Sequence, residues 1–490
     1  MPKKTNYNKL EKELLISKKS CWEIWDDGTK KKAFEFAEGY KEFLREAKTE
    51  SETVVLGVKI LEKDGFKNIK NFSAKGGSSS GGKKIKPGDK IYAVNRDKNL
   101  VAVRIGQNNL DQGFNLLMSH IDSPHLDLKV TPLFEDENLA FFKTHYYGGI
   151  KKYQWPTIAL ALHGSVHLLN GKRIDIKIGE DESDPVFMIT DLLPHLDRTG
   201  GVGSAVGQRE ILGEELNLLV GSIGVKNATA SSTQAIKEPV KLAILELLNK
   251  KYGIKEEDLS SADLQVVPSE KPRDLGFDRS LISAYGHDDR ISAYASLQSL
   301  LNVKISKRTQ AMVWMDKEET GSDGNTGAKT PWLDLFFCNL LDLSGQPGNM
   351  KDVYKIYTKC SAISADVSPA VDPDYKDVHD LRNAYRLGYG LTIEKFTGSG
   401  GKYFTSEASA DYIRQIRSKF RRNKNIVYQI GGGLGKVDKG GAGTIAKYLA
   451  NKNMDTVDMG VPLFNMHAPL EIASKGDLYA AYLGYKAFLG

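Results

Sequence analysis

Residues 114–122 have the sequence FNLLMSHID, which opens with a mostly apolar run at 114–118. Only Asn115 interrupts that run. Because successive side chains of a strand point to opposite faces, a short run that is apolar at successive positions is typical of a strand buried on both faces, as in a parallel sheet. His120 and Asp122 follow directly. We therefore predict an interior strand with ionisable side chains at its carboxyl end.

The segments around this strand alternate between strand and helix patterns. Two further apolar runs lie at residues 311–315 and, in part, 354–363. Helical periodicity occurs in three segments, at 51–65, 291–301 and 409–422. Strands and helices that alternate along a chain predict an α/β fold, here with a mixed or parallel sheet.

The middle of the chain has a different pattern. Between residues 129 and 273, short strands with alternating polarity, such as 173–178 and 186–190, are separated by Gly, Asp and Asn turns. A helix opens there at Glu238-Pro239, where proline suits the first turn. We predict that residues 129–273 form an inserted, mostly β domain, and that residues 1–128 and 274–490 together form the other domain.

Composition excludes several classes of protein. The 490 residues are 40% hydrophobic and 27% charged, with a net charge of +6, which is ordinary globular usage. No nucleic-acid-binding motif accompanies the lysine clusters, and no apolar stretch approaches the ~20 residues of a membrane span. Three cysteines without a CxxC pair favour a reducing compartment, so we expect a cytoplasmic protein without nucleic-acid or membrane partners.

Glycine-rich stretches at 75–84, 199–207 and 431–436 predict loops rather than phosphate sites. The last, GGGLGK, fails the P-loop pattern because Ile430 occupies the first glycine position and Val437 the Ser/Thr position.

Acids and histidines follow the predicted strands or open the helix after them. Singly, each is explained by helix capping or by structural hydrogen bonds. Together they are expected to converge, because open α/β sheets bind ligands at the carboxyl ends of their strands. Converging carboxylates require a cation, and two histidines favour zinc, with cobalt or manganese as alternatives. The set comprises His120, Asp122, Asp288, Asp289, Glu318, Glu319, Asp366 and His467.

Five stretches, in order, resemble the aspartyl-aminopeptidase family of dinuclear zinc metallopeptidases. The resemblance covers most of the chain from about residue 20 onward. The stretches are MSHIDSPHLDLK (118–129), GHDDRISAYASLQSL (286–300), DKEETGS (316–322), SAD (364–366) and MHAPLE (466–471).

The resemblance implies a ligand set for two zinc ions. His120 and Asp366 would complete the site of one ion. Glu319 and His467 would complete the other. Asp288 would bridge the two ions.

It also implies roles for the residues around the ligands. Glu318 would be the general base, and Asp122 would orient His120. Asp289 would follow Asp288 through a cis peptide bond, although many family members have Asn there. His195 would reach the site of a neighbouring subunit, and Lys395 would lie in a substrate-binding segment.

In fold and assembly, the resemblance implies a catalytic α/β domain with a β-rich dimerisation domain inserted into it. It also implies a homo-oligomer, a dodecamer built from dimers.

The hypothesis is therefore a metallo-aminopeptidase that removes the N-terminal residue of peptides by a two-metal mechanism with a glutamate base. Preference for an acidic or a neutral residue stays open, because Pro369 and Asp372 stand where the family often has two histidines. A dinuclear carboxypeptidase or deacylase, and a non-catalytic scaffold that keeps the fold, are the alternatives.

Overall fold

The structure of the chain is a computed structural model. It describes residues 7–16, 18–72, 84–196, 210–226, 236–398, 400–432 and 435–490. The glycine-rich segment 199–207, and all but the last residue of 75–84, lie outside these ranges.

The helices within the described residues include those that the sequence predicted at 51–65, 291–301 and 409–422 and after Glu238. They begin and end at α1 Tyr7–Leu14, α2 Cys21–Ile24, α3 Asp27–Glu46, α4 Glu50–Lys63, α5 Pro239–Tyr252, α6 His287–Asn302, α7 Trp332–Ser344, α8 Met350–Tyr357, α9 Ala410–Phe420, α10 Ala446–Ala450 and α11 Lys475–Leu489. A reciprocal cap begins α4: the Thr49 hydroxyl accepts from the Glu52 amide, and the Glu52 carboxylate accepts from the Thr49 amide.

The strands form three sheets. They are β1 Lys67–Asn68, β2 Lys90–Asn95, β3 Asn99–Arg104, β4 Phe114–His120, β5 His125–Asp136, β6 Leu139–Tyr147, β7 Leu160–His167, β8 Arg173–Ile178, β9 Met188–Ile189, β10 Leu218–Gly221, β11 Ala262–Pro268, β12 Arg273–Leu275, β13 Leu281–Ala284, β14 Thr309–Met315, β15 Ser361–Ser364, β16 Ser368–Pro369, β17 Leu391–Glu394, β18 Tyr428–Gly431, β19 Asp455–Asp458, β20 Pro462–Phe464 and β21 Glu471–Ser474.

The largest sheet is mixed, with the order β1-β2-β3-β14-β4-β15-β19-β17-β18. Its centre, β14-β4-β15-β19, is parallel. All seven residues of β4 are buried, as the FNLLM run predicted. The predicted strand within 354–363 was only partly right, since the segment contains the end of α8 followed by the short strand β15.

A second sheet, β8-β7-β11-β5-β6-β10-β9, contains only strands from the middle of the chain, and its pairs are antiparallel. The chain leaves the large sheet after β4 and returns to it at β14. This sheet has its own core, which includes Trp155, Leu162 and Val166. It begins at His125, inside the predicted first segment 1–128, and the boundaries at 129 and 273 stay predictions.

Helices cover both faces of the large sheet. One core contains residues of α3, α4, α6, α9 and α11, and a second contains residues of α7, α8 and α10. A small third sheet, β12-β13-β21-β20-β16, is formed by strands that all follow the second sheet in the chain. Among the described helices, none combines the length and apolar character needed to cross a bilayer. The mixed α/β class predicted from the sequence is confirmed.

Candidate metal centre

The predicted site residues from three strands meet at the carboxyl edge of the large sheet. His120 is the last residue of β4 and pairs with Met315, the last residue of β14. Glu318 and Glu319 lie in the short turn of 3₁₀ helix that follows β14. Asp366 follows β15. Parallel neighbouring strands thus deliver a histidine and three carboxylates to one edge, as expected from the sequence.

Asp288 and His467 reach the same place from other elements. The bond between Asp288 and Asp289 is a cis peptide, as the family resemblance implied, and the backbone of both residues is non-helical within the first turn of α6. His467 lies in the connection between β20 and β21 and has a positive φ of 67°.

The Asp288 carboxylate lies between the two histidines. His120 Nε2 is 3.1 Å from Asp288 Oδ1 and 3.6 Å from Asp366 Oδ1. His467 Nε2 is 3.2 Å from Asp288 Oδ2 and 3.4 Å from Glu319 Oε1. Ligand atoms of His120, Asp288 and Asp366 lie within 4.8 Å of one another, and so do those of Asp288, Glu319 and His467. The two groups share Asp288, so one carboxylate faces two potential cation positions.

Glu318 adjoins both groups. Its carboxylate lies within 4.8 Å of potential ligand atoms of His120 and Glu319. Burial raises the pKa of Glu318 to about 8; His120 opposes this, while Asp366, Asp122 and Asp288 add to it. A carboxyl group held near neutral pKa suits proton transfer.

Asp122 organises the turn that carries the two glutamates. Its Oδ1 accepts the Glu318 amide at 3.2 Å, and its Oδ2 accepts the Glu319 amide at 3.1 Å and the Tyr147 hydroxyl at 2.9 Å. His120 Nδ1 lies 3.0 Å from the Asp122 main-chain oxygen and 3.3 Å from its Oδ1. Asp122 therefore contacts the second ring nitrogen of His120 through two atoms.

Glu471, for which the sequence patterns indicated no role, holds the main chain of two site residues in place. It is buried, and it accepts the main-chain amides of Asp288 at 3.0 Å and His467 at 2.8 Å. Ser123 donates its hydroxyl to the Asp288 carbonyl oxygen. The only sequence signal for Glu471 was its place in the MHAPLE stretch.

The donor set fits cations on structural grounds. Among the described residues, no hydrogen bond satisfies the buried atoms Asp288 Oδ1 and Glu319 Oε1. The pKa of Glu319 is raised well above its usual value by burial and by Asp288. The pKa of His467 is raised to about 10 because its contacts with Asp288 and Glu319 outweigh burial. These shifts show a cluster of carboxylates that favours a nearby positive charge, and two imidazoles with hard oxygen donors suit zinc.

Asp289 is fully buried behind Asp288. Neither of its carboxylate oxygens has a hydrogen-bond partner among the described residues, and burial with the nearby Asp366 raises its pKa well above the usual value. A neutral carboxyl group can occupy the place where many family members carry asparagine.

The two predicted substrate-binding residues lie apart from this cluster. His195 is exposed in a turn of the inserted segment. Lys395 follows β17, and its Nζ donates to the Ala408 carbonyl and contacts Glu407 Oε1 at 3.2 Å. It lines a separate cavity of about 500 Å³ together with Lys402. Neither residue is brought to the acidic cluster by the contacts of this chain.

Residues 43–489 match the family model described as aminopeptidase I zinc metalloprotease (M18). The chain belongs to the M18 aminopeptidase family. A probable M18 family aminopeptidase 1 from Clostridium acetobutylicum is 43% identical over 477 residues, which is 97% of this chain and 99% of the relative. The probable M18 family aminopeptidase 1 of Thermotoga maritima is 43% identical and covers 95% of this chain and 98% of its own.

Solved structures of M18 proteins have the same fold. The M18 aminopeptidase of T. maritima superposes with a TM-score of 0.87 at 41% identity, covering 97% of this chain and 99% of the other. Aminopeptidase I of C. acetobutylicum has a TM-score of 0.87 at 41% identity, with 97% and 100% covered. A dodecamer of the yeast protein mApe1 has a TM-score of 0.69 at 18% identity, with 92% of this chain and 95% of the other covered, and shares the fold alone. The family resemblance found in the sequence is thereby confirmed.

Proposed function

We propose that this M18 protein is a dinuclear zinc aminopeptidase that hydrolyses the first peptide bond of peptides. The observation that carries the proposal is the Asp288 carboxylate, which offers one oxygen to each of two groups of potential ligands. His120 and Asp366 would hold one ion with Asp288, and Glu319 and His467 the other. When bound, zinc would supply Lewis-acid chemistry, polarising the scissile carbonyl and lowering the pKa of the attacking water.

Glu318 would act as the general base. It takes a proton from the attacking water, the oxygen forms a bond to the carbonyl carbon, and Glu318 passes the proton to the amine as the carbon–nitrogen bond breaks. Glu318 is partly buried among other carboxylates, which raise its pKa and so favour its taking up a proton. The structure supports the assignment through the position of Glu318 beside both ligand groups.

Asp122 would be a positioning residue in this reaction. Through Oδ1 and Oδ2 it fixes the amides of Glu318 and Glu319, and it contacts His120 Nδ1. A carboxylate at the second nitrogen of a ligand histidine sets the ring orientation and raises its basicity.

A matched pair of variants tests the mechanism. Glu318→Gln should bind two zinc ions per chain and lose about a hundred- to ten-thousandfold in kcat, the usual contribution of a general base. Glu319→Gln should instead lose zinc. Metal content and kcat are measured on the same samples with aminoacyl amides, and a fully active Glu318→Gln enzyme would contradict the proposal.

A second assay separates this function from a carboxypeptidase or deacylase on the same fold. Peptides with a free amino terminus and their N-acetylated forms are compared at equal concentration. Cleavage of the free-amine forms alone is expected. A panel with acidic and neutral first residues then defines the side-chain preference.

We further propose a homo-oligomer built through the inserted segment, with a dodecamer as the expected state. The yeast relative described as a dodecamer supports it. So do Leu193 and Leu196, which are 50% and 68% exposed beside His195. In such an assembly His195 would reach a neighbouring site and Lys395 would bind substrate. Sedimentation velocity should give one large species, and a monomer would contradict this assembly.

A further inference from the structure

A cavity of about 840 Å³ lies at the edge of the large sheet opposite the metal centre. It adjoins the beginning of β4 at Asn115, the residue before β14 at Arg308 and the beginning of β15 at Ser361. One side of α9 and the segment after α6 form its other walls. Since Asn115 and His120 are five residues apart on β4, about 17 Å separates this cavity from His120. It is therefore independent of the proposed active site.

The lining of the cavity is strongly basic. It includes six cationic side chains and, among the described residues that line it, no acidic side chain. Amides and hydroxyls, including Asn108, Gln415 and Ser418, complete the polar wall. The cations are Lys304, Lys307, Arg308, Arg414, Lys419 and Arg422.

Five of these six cations lack the carboxylate partners that several other lysines of the molecule have among the described residues. Arg414 contacts Asp411 at 2.8 Å, but the other five form no ion pair with a described residue. A carboxylate at Gly490, which also lines the cavity, would offset one charge at most. By contrast, Lys98 contacts two carboxylates at 2.6 Å and Lys452 contacts Asp334 at 2.6 Å. Five cations are thus left facing one concave space.

Two of the inner cations are fixed by neutral groups. Arg308 donates to Asn115 Oδ1 at 3.3 Å and to Ser361 Oγ at 3.2 Å, and Lys419 donates to the Phe488 carbonyl at 2.7 Å. Burial, together with repulsion from Arg308 and Arg422, lowers the pKa of Lys419 to about 8. Fixed like charges that repel one another are stabilised when a multivalent anion enters between them.

We propose that this cavity binds a small oligophosphate anion, either free or as the phosphate chain of a nucleotide. Its volume lies within the range of small-ligand sites, about 300 to 1,000 Å³. Arginine and lysine are the side chains that bind phosphate oxygens most strongly, and the amides and hydroxyls supply further contacts. A concave space enclosed by strand ends and a helix suits a compact ligand, whereas nucleic acid would need an extended basic surface.

Tripolyphosphate is the first probe, titrated calorimetrically into the metal-loaded protein. One ion per chain should bind, with an affinity that falls as sodium chloride is added. Adenosine triphosphate should bind at least as well, whereas adenosine alone should not bind. Metal content is measured before and after the titration to show that the probe has not removed zinc.

The variant Lys307→Gln/Arg422→Gln removes two exposed cations that hold no internal bond. This double variant should weaken tripolyphosphate binding by about tenfold or more, since each of the two substitutions removes a charge-assisted contact. The control Arg417→Gln/Arg421→Gln removes the same charge from exposed positions at the end of α9 that do not line the cavity. It should bind like the unaltered protein. Absence of binding, equal loss in both variants, or binding that survives the first variant would overturn the proposal.

Discussion

Glu471 shows how single residues outside the proposed ligand set position the residues of the candidate metal centre. One of its oxygens accepts the amide of Asp288 and the other accepts the amide of His467, so a single carboxylate fixes main chain on both sides of the site. The sequence could reveal His120, Asp288 and Glu318 because they follow predicted strands or open a helix. It could not reveal the role of Glu471, because contacts with main-chain amides leave no spacing pattern.

Glu471→Gln is expected to weaken zinc binding by about ten- to a hundredfold, the usual cost of losing a group that orients ligands. The replacement amide directs its NH₂ group at a main-chain N–H, so one of the two contacts becomes repulsive. Competition with a zinc indicator measures the affinity. Glu246→Gln, on the exposed face of α5, is the control and should not change it. Equal affinities in the two variants would show that Glu471 does not position the ligands.

At the scale of elements, prediction succeeded where burial was uniform. The strands β4 and β14 are fully buried, so their apolar runs identified them directly. The third run misled because Val353, Ile356 and Tyr357 are buried on a helix, α8, and the strand β15 after it has only four residues. Short elements carry too few residues for a period of two to be distinguished from one of 3.6.

Glu50 joins the first turn of α4 to the turn between β2 and β3 through an ion pair, and to the sheet formed from the middle of the chain through hydrogen bonds. Glu50 Oε1 contacts Lys98 Nζ at 2.6 Å, and Gln265 of β11 donates to both Glu50 oxygens. Burial alone would raise the pKa of Glu50, but Lys98, His125 and Gln265 outweigh it and lower the pKa to about 2. The pKa of Glu50 is lower in the folded chain than in the unfolded chain, where it is about 4.3. Ionised Glu50 therefore stabilises the fold by about 3 kcal/mol at pH values above about 4.3, and this contribution is lost as the pH falls toward 2.

Glu50→Gln should therefore reduce the free energy of unfolding at neutral pH by about 3 kcal/mol, because it leaves Lys98 with one carboxylate partner fewer in a buried position. The difference from the unaltered protein should shrink between pH about 4.5 and about 2, where Glu50 itself becomes neutral. Urea unfolding at a series of pH values measures it. Glu42→Gln is the control, since the Glu42 side chain is 68% exposed, and should change stability little. A difference independent of pH would contradict the assignment.

Across the whole molecule, the metal centre joins parts of the chain that are distant in sequence. His120 precedes the inserted sheet, while Asp288, Glu319, Asp366 and His467 all follow it. The order of these residues was visible in the sequence, together with a β-rich segment between them. How closely they approach depends on strand register, which does not follow from the local sequence pattern.

Removal of the metal should therefore lower the stability of the folded protein. Without cations, the carboxylates of Asp288 and Glu319 repel one another, and the neighbouring His467 and His120 oppose this repulsion. A ligand present at about a thousand times its Kd stabilises the folded state by about 4 kcal/mol, so the zinc-loaded protein should unfold at a clearly higher temperature than protein dialysed against a chelator. Scanning calorimetry measures both midpoints. A Glu319→Gln/Asp366→Asn variant lacks one ligand from each group and should show no response to the chelator. If the unaltered protein loses its zinc but unfolds at the same temperature, metal bound by these residues does not stabilise the fold.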